Sequence, residues 1–201
     1  MGWTRDGLEY FAPGLWDFNE HPIMPLSDQI AESDVSMVTI GLKDLFQKAF
    51  DEQQRRLVPQ FIRRTLSSAR HFENTRNILG EYFIDHQKAK PKIEIYYQAL
   101  DEAESCILHS HAANESVRFL AKSKELTLKF ETQRKIIDEL ANGIKHFGEV
   151  GKQKPKEVVP TWFYTGGVAG VKDVKLSFSD FHSLLKFHLS ICKLVASNAK
   201  P

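Results

Sequence analysis

Apolar residues return at spacings of three, four and seven along most of this chain, and that helical period limits what the chain can fold into. From about Met37 the first stripe reads Leu42, Leu45, Phe46, Ala49, Phe50 and Leu57. Pro59 interrupts it, since proline has no amide hydrogen and its ring clashes with the carbonyl four residues back. Beyond it the stripe resumes in a shifted phase as Ile62, Leu66, Ala69, Leu79 and Phe83, which predicts a kinked helix or two helices in sequence. After the punctuation at Ala89-Lys90-Pro91, a second stripe carries Ile93, Tyr96, Leu100, Ala103 and Ile107, and its phase blurs after His111. A third, from about Glu125 to Phe147, carries Leu126, Phe130, Ile137, Leu140, Ile144 and Phe147, with Gly148 placed to end it.

Between residues 158 and 177 the pattern changes. Val158, Val159, Trp162, Phe163 and Tyr164 are β-branched or aromatic, Gly166 to Gly170 reads as a turn, and Val171 to Leu176 alternates with charges. Ser179 is then placed to cap a last helix whose apolar face holds Phe181, Leu184, Leu185, His188, Cys192 and Val195. The expected fold is mainly all-α: a bundle of long antiparallel helices over residues 37–201, with one small β-hairpin at about 158–177 before the last helix. Residues 1–36 stand apart as an irregular acidic arm in which Trp3, Tyr10, Phe11, Trp16 and Phe18 alternate with Pro13, Pro22 and Pro25. So many aromatics predict that the arm packs onto the body or onto a second subunit.

Charge and cysteine content exclude several function classes. With 27 basic and 26 acidic residues the net charge is +1, so no overall attraction draws the chain to nucleic acid or membrane, and a charged partner must meet a local patch. Cys106 and Cys192 lie far apart within helical stripes and read as buried thiols, which suits a reducing cytosol. No basic-then-apolar leader and no run near the roughly 18 apolar residues of a membrane span occur, so a cytoplasmic protein without a membrane partner is expected. The glycines at 166–170 match neither a Walker loop nor a dinucleotide fingerprint, and His109 and His111, two apart, point to different helix faces. No metal and no cofactor are expected.

Three sets of residues remain as candidate chemistry. In the third helix Asn142 and His146 are neighbours on the face opposite the apolar one, where an imidazole could exchange a proton and an amide could orient a phosphate. The structural alternative is a histidine interacting with the negative end of a helix dipole. Arg56, Arg63 and Arg70 recur every seven residues and form a basic ridge if the helix continues through Pro59; such a ridge could track phosphates, receive the acidic arm, or merely be solvated. Arg64 and His71, also seven apart, return to nearly the same helix face. His188, on the apolar side of the last helix, reads as a hydrogen-bonded core residue.

The order of these parts resembles the HEPN superfamily over roughly residues 40–197: a long helical hairpin, the Asn142-x-x-Lys145-His146-Phe147 helix end, a hairpin with Pro and Trp, then Leu176-Ser177-Phe178-Ser179-Asp180-Phe181 opening a last helix. Catalytic members of that superfamily are metal-independent ribonucleases that dimerise and pair, across the subunit cleft, an Arg and a His with four to six residues between them; others have lost catalysis. The resemblance therefore implies a protein that binds or cleaves RNA or nucleotides, and a homodimer. On that reading His146 acts as general acid or base on a ribose hydroxyl, Asn142 orients the phosphate, and Lys145 or the arginine ridge offsets its charge. This chain departs from the pattern at His146, where the nearest upstream arginine is Arg134; only Arg64 and His71 meet the family spacing. The competing expectation is a non-catalytic homodimeric interaction protein using the same polar face and the N-terminal arm.

Overall fold

The computed structural model describes residues 12, 14, 15, 29, 30, 35, 36, 52–86, 93–124, 127–147, 160–164, 166–170 and 174–198. In chain order these form α1 (Glu52–His86), α2 (Ile93–Lys124), α3 (Glu131–Lys145), β1 (Thr161–Tyr164), β2 (Gly167–Gly170), β3 (Val174–Ser177) and α4 (Phe178–Asn198). The fold is mainly all-α with a small antiparallel sheet ahead of the last helix, as the periodicity predicts. Among the described residues no helix is long and apolar enough to cross a membrane. The apolar stripe from Leu42 to Phe50, and Leu126, Gly148, Val158, Val159 and Val171, lie outside the described residues.

Pro59 neither ends α1 nor divides it in two. The helix runs from Glu52 to His86 with the proline inside it. The buried line on its inner face is Val58, Phe61, Ile62, Thr65, Ser68, Ala69, Phe72, Thr75 and Leu79, an unbroken three-and-four spacing. The shifted phase read from apolar residues alone arose because Thr65, Ser68 and Thr75 occupy core positions. Two of these hydroxyls have a nearby acceptor: Ser68 Oγ donates to the Cys106 carbonyl (3.0 Å), and Thr75 Oγ1 donates to the His71 carbonyl one turn back (2.9 Å). Packing along this whole line outweighs the roughly 3 kcal/mol that an interior proline costs a helix.

Helix α2 runs antiparallel to α1 and is covered from two sides. Its residues Tyr96, Ala99, Ala103, Cys106 and Ser110 are buried, as are His111, Asn114 and Val117. A helix with two neighbours needs apolar or small residues around much of its circumference, which is why its stripe blurs after His111. α3 begins at Glu131, not near Glu125: Thr127 to Phe130 are non-helical, and Phe130 takes φ 59 and ψ 42. That left-handed turn, costly for a side chain with a Cβ, points to an offsetting contact, and Phe130 packs on Phe187 of α4 at 5.7 Å.

The predicted hairpin is a three-stranded meander in the order β1, β2, β3, pairing Phe163 with Val168 and Val168 with Leu176. The glycine-rich stretch is therefore the central strand; only Gly166, at φ 95, makes the turn. A Cβ on Gly167 would sit 2.1 Å from the Leu176 carbonyl oxygen, so the close strand approach requires glycine there. β1 is tied to α2, since the Phe163 amide donates to the Tyr96 hydroxyl (3.2 Å) and the two rings meet edge to face at 5.5 Å. α4 is capped by Ser177, two residues before the expected Ser179. Ser177 Oγ accepts from the Asp180 amide (3.0 Å) and donates to the Asp180 carboxylate (2.8 Å).

Of the N-terminal arm, Ala12, Leu15 and Ile30 are buried in the same core as the helices, and the Ile30 amide donates to Glu73 Oε1 at 2.7 Å. These residues pack on their own chain. The arm's aromatics Trp3, Tyr10, Phe11, Trp16 and Phe18 lie outside the described residues.

Candidate functional site

The antiparallel pairing of α1 and α2 brings together two pairs of residues, each seven apart and so aligned on one face: Arg64 with His71, and Glu102 with His109. Arg64 Nη1 lies 3.0 Å from His109 Nδ1, and His71 Nδ1 lies 2.7 Å from Glu102 Oε2. The two imidazoles stack, with centroids 5.3 Å apart and planes 11° from parallel. Asn74 Nδ2 donates to the same Glu102 oxygen at 3.1 Å. The group is half-buried at the helix seam, with the His71 and Glu102 side chains each 26% exposed, so solvent or a ligand can reach it.

The hydrogen bonds assign a role to each ring. A guanidinium can only donate, so His109 Nδ1 accepts and its proton sits on Nε2. Burial, reinforced by the charge of Arg64, by His71 and by Arg63, pushes His109 below the ordinary imidazole pKa and keeps it neutral. Glu102 accepts from His71 Nδ1–H, so the neutral tautomer of His71 that fits this bond carries its lone pair on Nε2. One ring thus offers an N–H and the other an acceptor nitrogen, with Arg64 beside them.

The basic ridge lies next to this cluster. Arg56, Arg63 and Arg70 are all exposed along the continuous α1, and Arg63 and Arg70 directly precede Arg64 and His71 of the seam. Arg56 makes an exposed pair with Glu52 at 3.3 Å, an interaction worth little in water. Asn142, Lys145 and His146 are exposed at the C-terminal end of α3, where the His146 amide closes the helix on the Asn142 carbonyl (3.0 Å). Among the described residues the contacts of the seam cluster come from α1 and α2, whereas Asn142, Lys145 and His146 belong to α3 and its end.

His111 turns away from His109 to the α3 side of α2. Its Nδ1 meets Asp138 Oδ1 at 2.8 Å, while Arg118 Nη2 holds the other Asp138 oxygen. Burial alone would raise the Asp138 pKa; His111 and Arg118 together bring it below the usual carboxylate value. Among the described residues no group of three or more His, Cys, Asp or Glu side chains is placed to hold a metal ion.

His188 is buried as expected, but neither ring nitrogen has a partner among the described residues; the ring meets Phe61 edge-on (5.8 Å) and its neighbour Phe187 at a tilt (6.3 Å). Desolvation and the nearby Arg134 charge push its pKa down to about 3. Cys106 and Cys192 are free, buried thiols with pKa values pushed up by burial to about 12, and so unreactive as nucleophiles.

The sequence by itself points to Arg64 and His71; it sets His109 and His111 on different helix faces and gives no role to Glu102 or Asn74. The signal was present as a second interval of seven, from Glu102 to His109, on the helix predicted to run antiparallel to the first. Comparison of the chain with protein-family models, with curated proteins and with solved structures gave no match.

Proposed function

We propose that the α1–α2 seam binds single-stranded RNA or a nucleotide and cleaves the phosphodiester without a metal ion, with Arg56, Arg63 and Arg70 following the backbone. The observation that carries this reading is the convergence of Arg64 and His71 on the neutral His109 ring, with Glu102 holding His71. His71, oriented by Glu102, takes the proton of a ribose 2′-hydroxyl at Nε2 as the 2′-oxygen bonds to phosphorus; the P–O5′ bond of the RNA breaks, leaving a 2′,3′-cyclic phosphate, and the departing 5′-oxygen takes a proton from water at the half-exposed seam. His109 donates Nε2–H to a non-bridging phosphate oxygen, and Arg64 exchanges its contact with His109 for the phosphate, where its fork is matched to two oxygens. The resemblance to the HEPN superfamily agrees with the chemistry, though the residues doing it are Arg64 and His71 in α1 instead of Asn142 and His146 in α3.

The test is cleavage of fluorescently labelled single-stranded RNAs of varied sequence in the presence of a chelator. His71→Ala is expected to lower cleavage by about 10²–10⁴-fold, as for loss of a general base, while His146→Ala leaves it unchanged. Loss of activity in His146→Ala with retention in His71→Ala would move the site to α3, and no binding or cleavage by the unaltered protein across those RNAs ends the proposal.

A further inference from the structure

A cavity of about 460 Å³ opens where the start of α1 meets the end of α2, and the described residues that line it are Glu52, Arg56, Leu57 and Phe119. That volume is in the range of small-ligand sites. Phe119 is 53% exposed although it is a large aromatic group, and Leu57 is half-buried against the core. One exposed aromatic is ordinary on a protein surface, but this one walls a cavity that also carries a carboxylate and a guanidinium. An aromatic face beside a basic track is the arrangement by which proteins stack the bases of a single strand.

The cavity continues the α1–α2 seam. Leu57 stands seven residues before Arg64, the interval that also separates Arg64 from His71, and α1 is one helix throughout. The three therefore follow one face, with Leu57 about 10 Å along the axis from Arg64. Phe119 lies ten residues beyond His109, and because α2 runs antiparallel to α1 it is displaced in the same direction. Arg56 is also the first arginine of the ridge that passes Arg63 and Arg70 beside the cluster. A stacked strand advances about 3.4 Å per nucleotide, so a base in the cavity belongs to a nucleotide about two or three removed from a phosphate held at Arg64.

Glu52 decides which base fits. It pairs with Arg56 at 3.3 Å, yet the two side chains are 87% and 81% exposed, so the pair opens at little cost. Released, the carboxylate offers two acceptor oxygens and no donor. Of the RNA bases, guanine alone presents two adjacent donors on its Watson–Crick edge, the ring N1–H and the 2-amino group, and a carboxylate receives both side by side. We propose that this cavity is a guanine-selective subsite of the RNA site. Phe119 stacks the base, Leu57 closes the apolar side, Glu52 accepts from N1–H and the 2-amino group, and Arg56 turns to the phosphate. The subsite rests on the reading of the seam as an RNA site; it sets which RNA is bound and takes no part in breaking the bond.

The experiment measures, by fluorescence anisotropy, the binding of labelled 2′-O-methyl oligouridines that carry one central guanosine, adenosine or inosine. Without a free 2′-hydroxyl these strands bind but are not cleaved. The guanosine strand is expected to bind the unaltered protein about tenfold tighter than the adenosine strand. Inosine, which lacks the 2-amino group, loses most of that gain and tests the Glu52 contact without altering the protein. Phe119→Ala weakens the guanosine strand by about tenfold. Glu52→Gln brings the guanosine and adenosine strands to the same affinity, while His71→Ala leaves the preference intact. Equal affinity for the three strands, a preference for adenosine, or a guanosine preference unchanged in Phe119→Ala and Glu52→Gln overturns the subsite. Cleavage of unmodified RNA alongside such a result keeps the seam reading and removes the subsite alone. A Phe119-dependent guanosine preference without any cleavage keeps the subsite and removes the catalytic reading.

Discussion

The seam between α1 and α2 and the interior of the bundle hold the same kinds of side chain, an arginine, a histidine and an amide, yet treat them differently. At the seam His71, Glu102, Asn74, Arg64 and His109 pair with one another and remain half-exposed. Inside the bundle Arg134, His188 and Asn114 are buried, and Arg134 Nε and Nη1, both His188 ring nitrogens and both Asn114 amide atoms have no partner among the described residues. Water explains the difference. A seam residue that loses its partner can turn to solvent, so such a cluster can exchange a contact for a substrate at small cost. A core residue cannot, and each unsatisfied group there costs about 1–3 kcal/mol.

The sharpest break of this contrast uses acid. His188 is neutral in the folded chain, with a pKa of about 3, and near 6.5 when unfolded. Its folded value is depressed, so the unfolded state binds the extra proton first. Stability is full above about pH 6.5 and falls as the pH drops toward 3, by roughly 4–5 kcal/mol over the whole interval. His188→Leu flattens that limb of the stability curve, read from urea unfolding at successive pH values in a buffer of weakly binding anions. An equally steep curve in the variant would show that His188 is not held neutral by burial.

A middle-sized effect belongs to Asp138, which lies between the two extremes in burial. Asp138→Asn leaves His111 and Arg118 without their shared carboxylate, and denaturant unfolding is expected to report a loss of about 1–3 kcal/mol at neutral pH. Its depressed pKa means that this contribution is fully present above the ordinary carboxylate value and fades as the pH falls through the folded one. The smallest stability effect is expected at the ridge. Arg63→Gln with Arg70→Gln should change stability by no more than about 0.5 kcal/mol, since both side chains are exposed. The same pair should reduce the slope of log affinity for single-stranded RNA against log salt by about 0.7 for each phosphate no longer neutralised. An unchanged slope would make the ridge a solvated face only.

How much of this was legible depends on what each residue type reports. Apolar spacing located all four described helices, because burying a stripe is a property of neighbouring residues along the chain. It misplaced their ends and details wherever a tertiary contact overrode local preference. Thr65, Ser68 and Thr75 hid the continuity of α1 because a small hydroxyl can be buried in a helix seam, as when α2 accepts from Ser68 and the helix's own backbone accepts from Thr75. Phe130 delayed α3 because its ring found Phe187. The glycines of β2 read as a turn because nothing in their own sequence announces that Leu176 will approach so closely.

The sequence alone determined the mainly helical class, the place of the sheet before the last helix, the burial of both cysteines, and the intervals of seven that set Arg64 beside His71 and Glu102 beside His109. Only the tertiary structure decided that those two intervals meet, that His109 faces α1 while His111 faces Asp138 of α3, and that neither ring nitrogen of His188 finds a partner among the described residues. Periodicity is written by residues a turn or two apart, within reach of the local backbone. Pairing across helices depends on register and on which neighbour excludes water, and those are fixed only when the whole bundle closes.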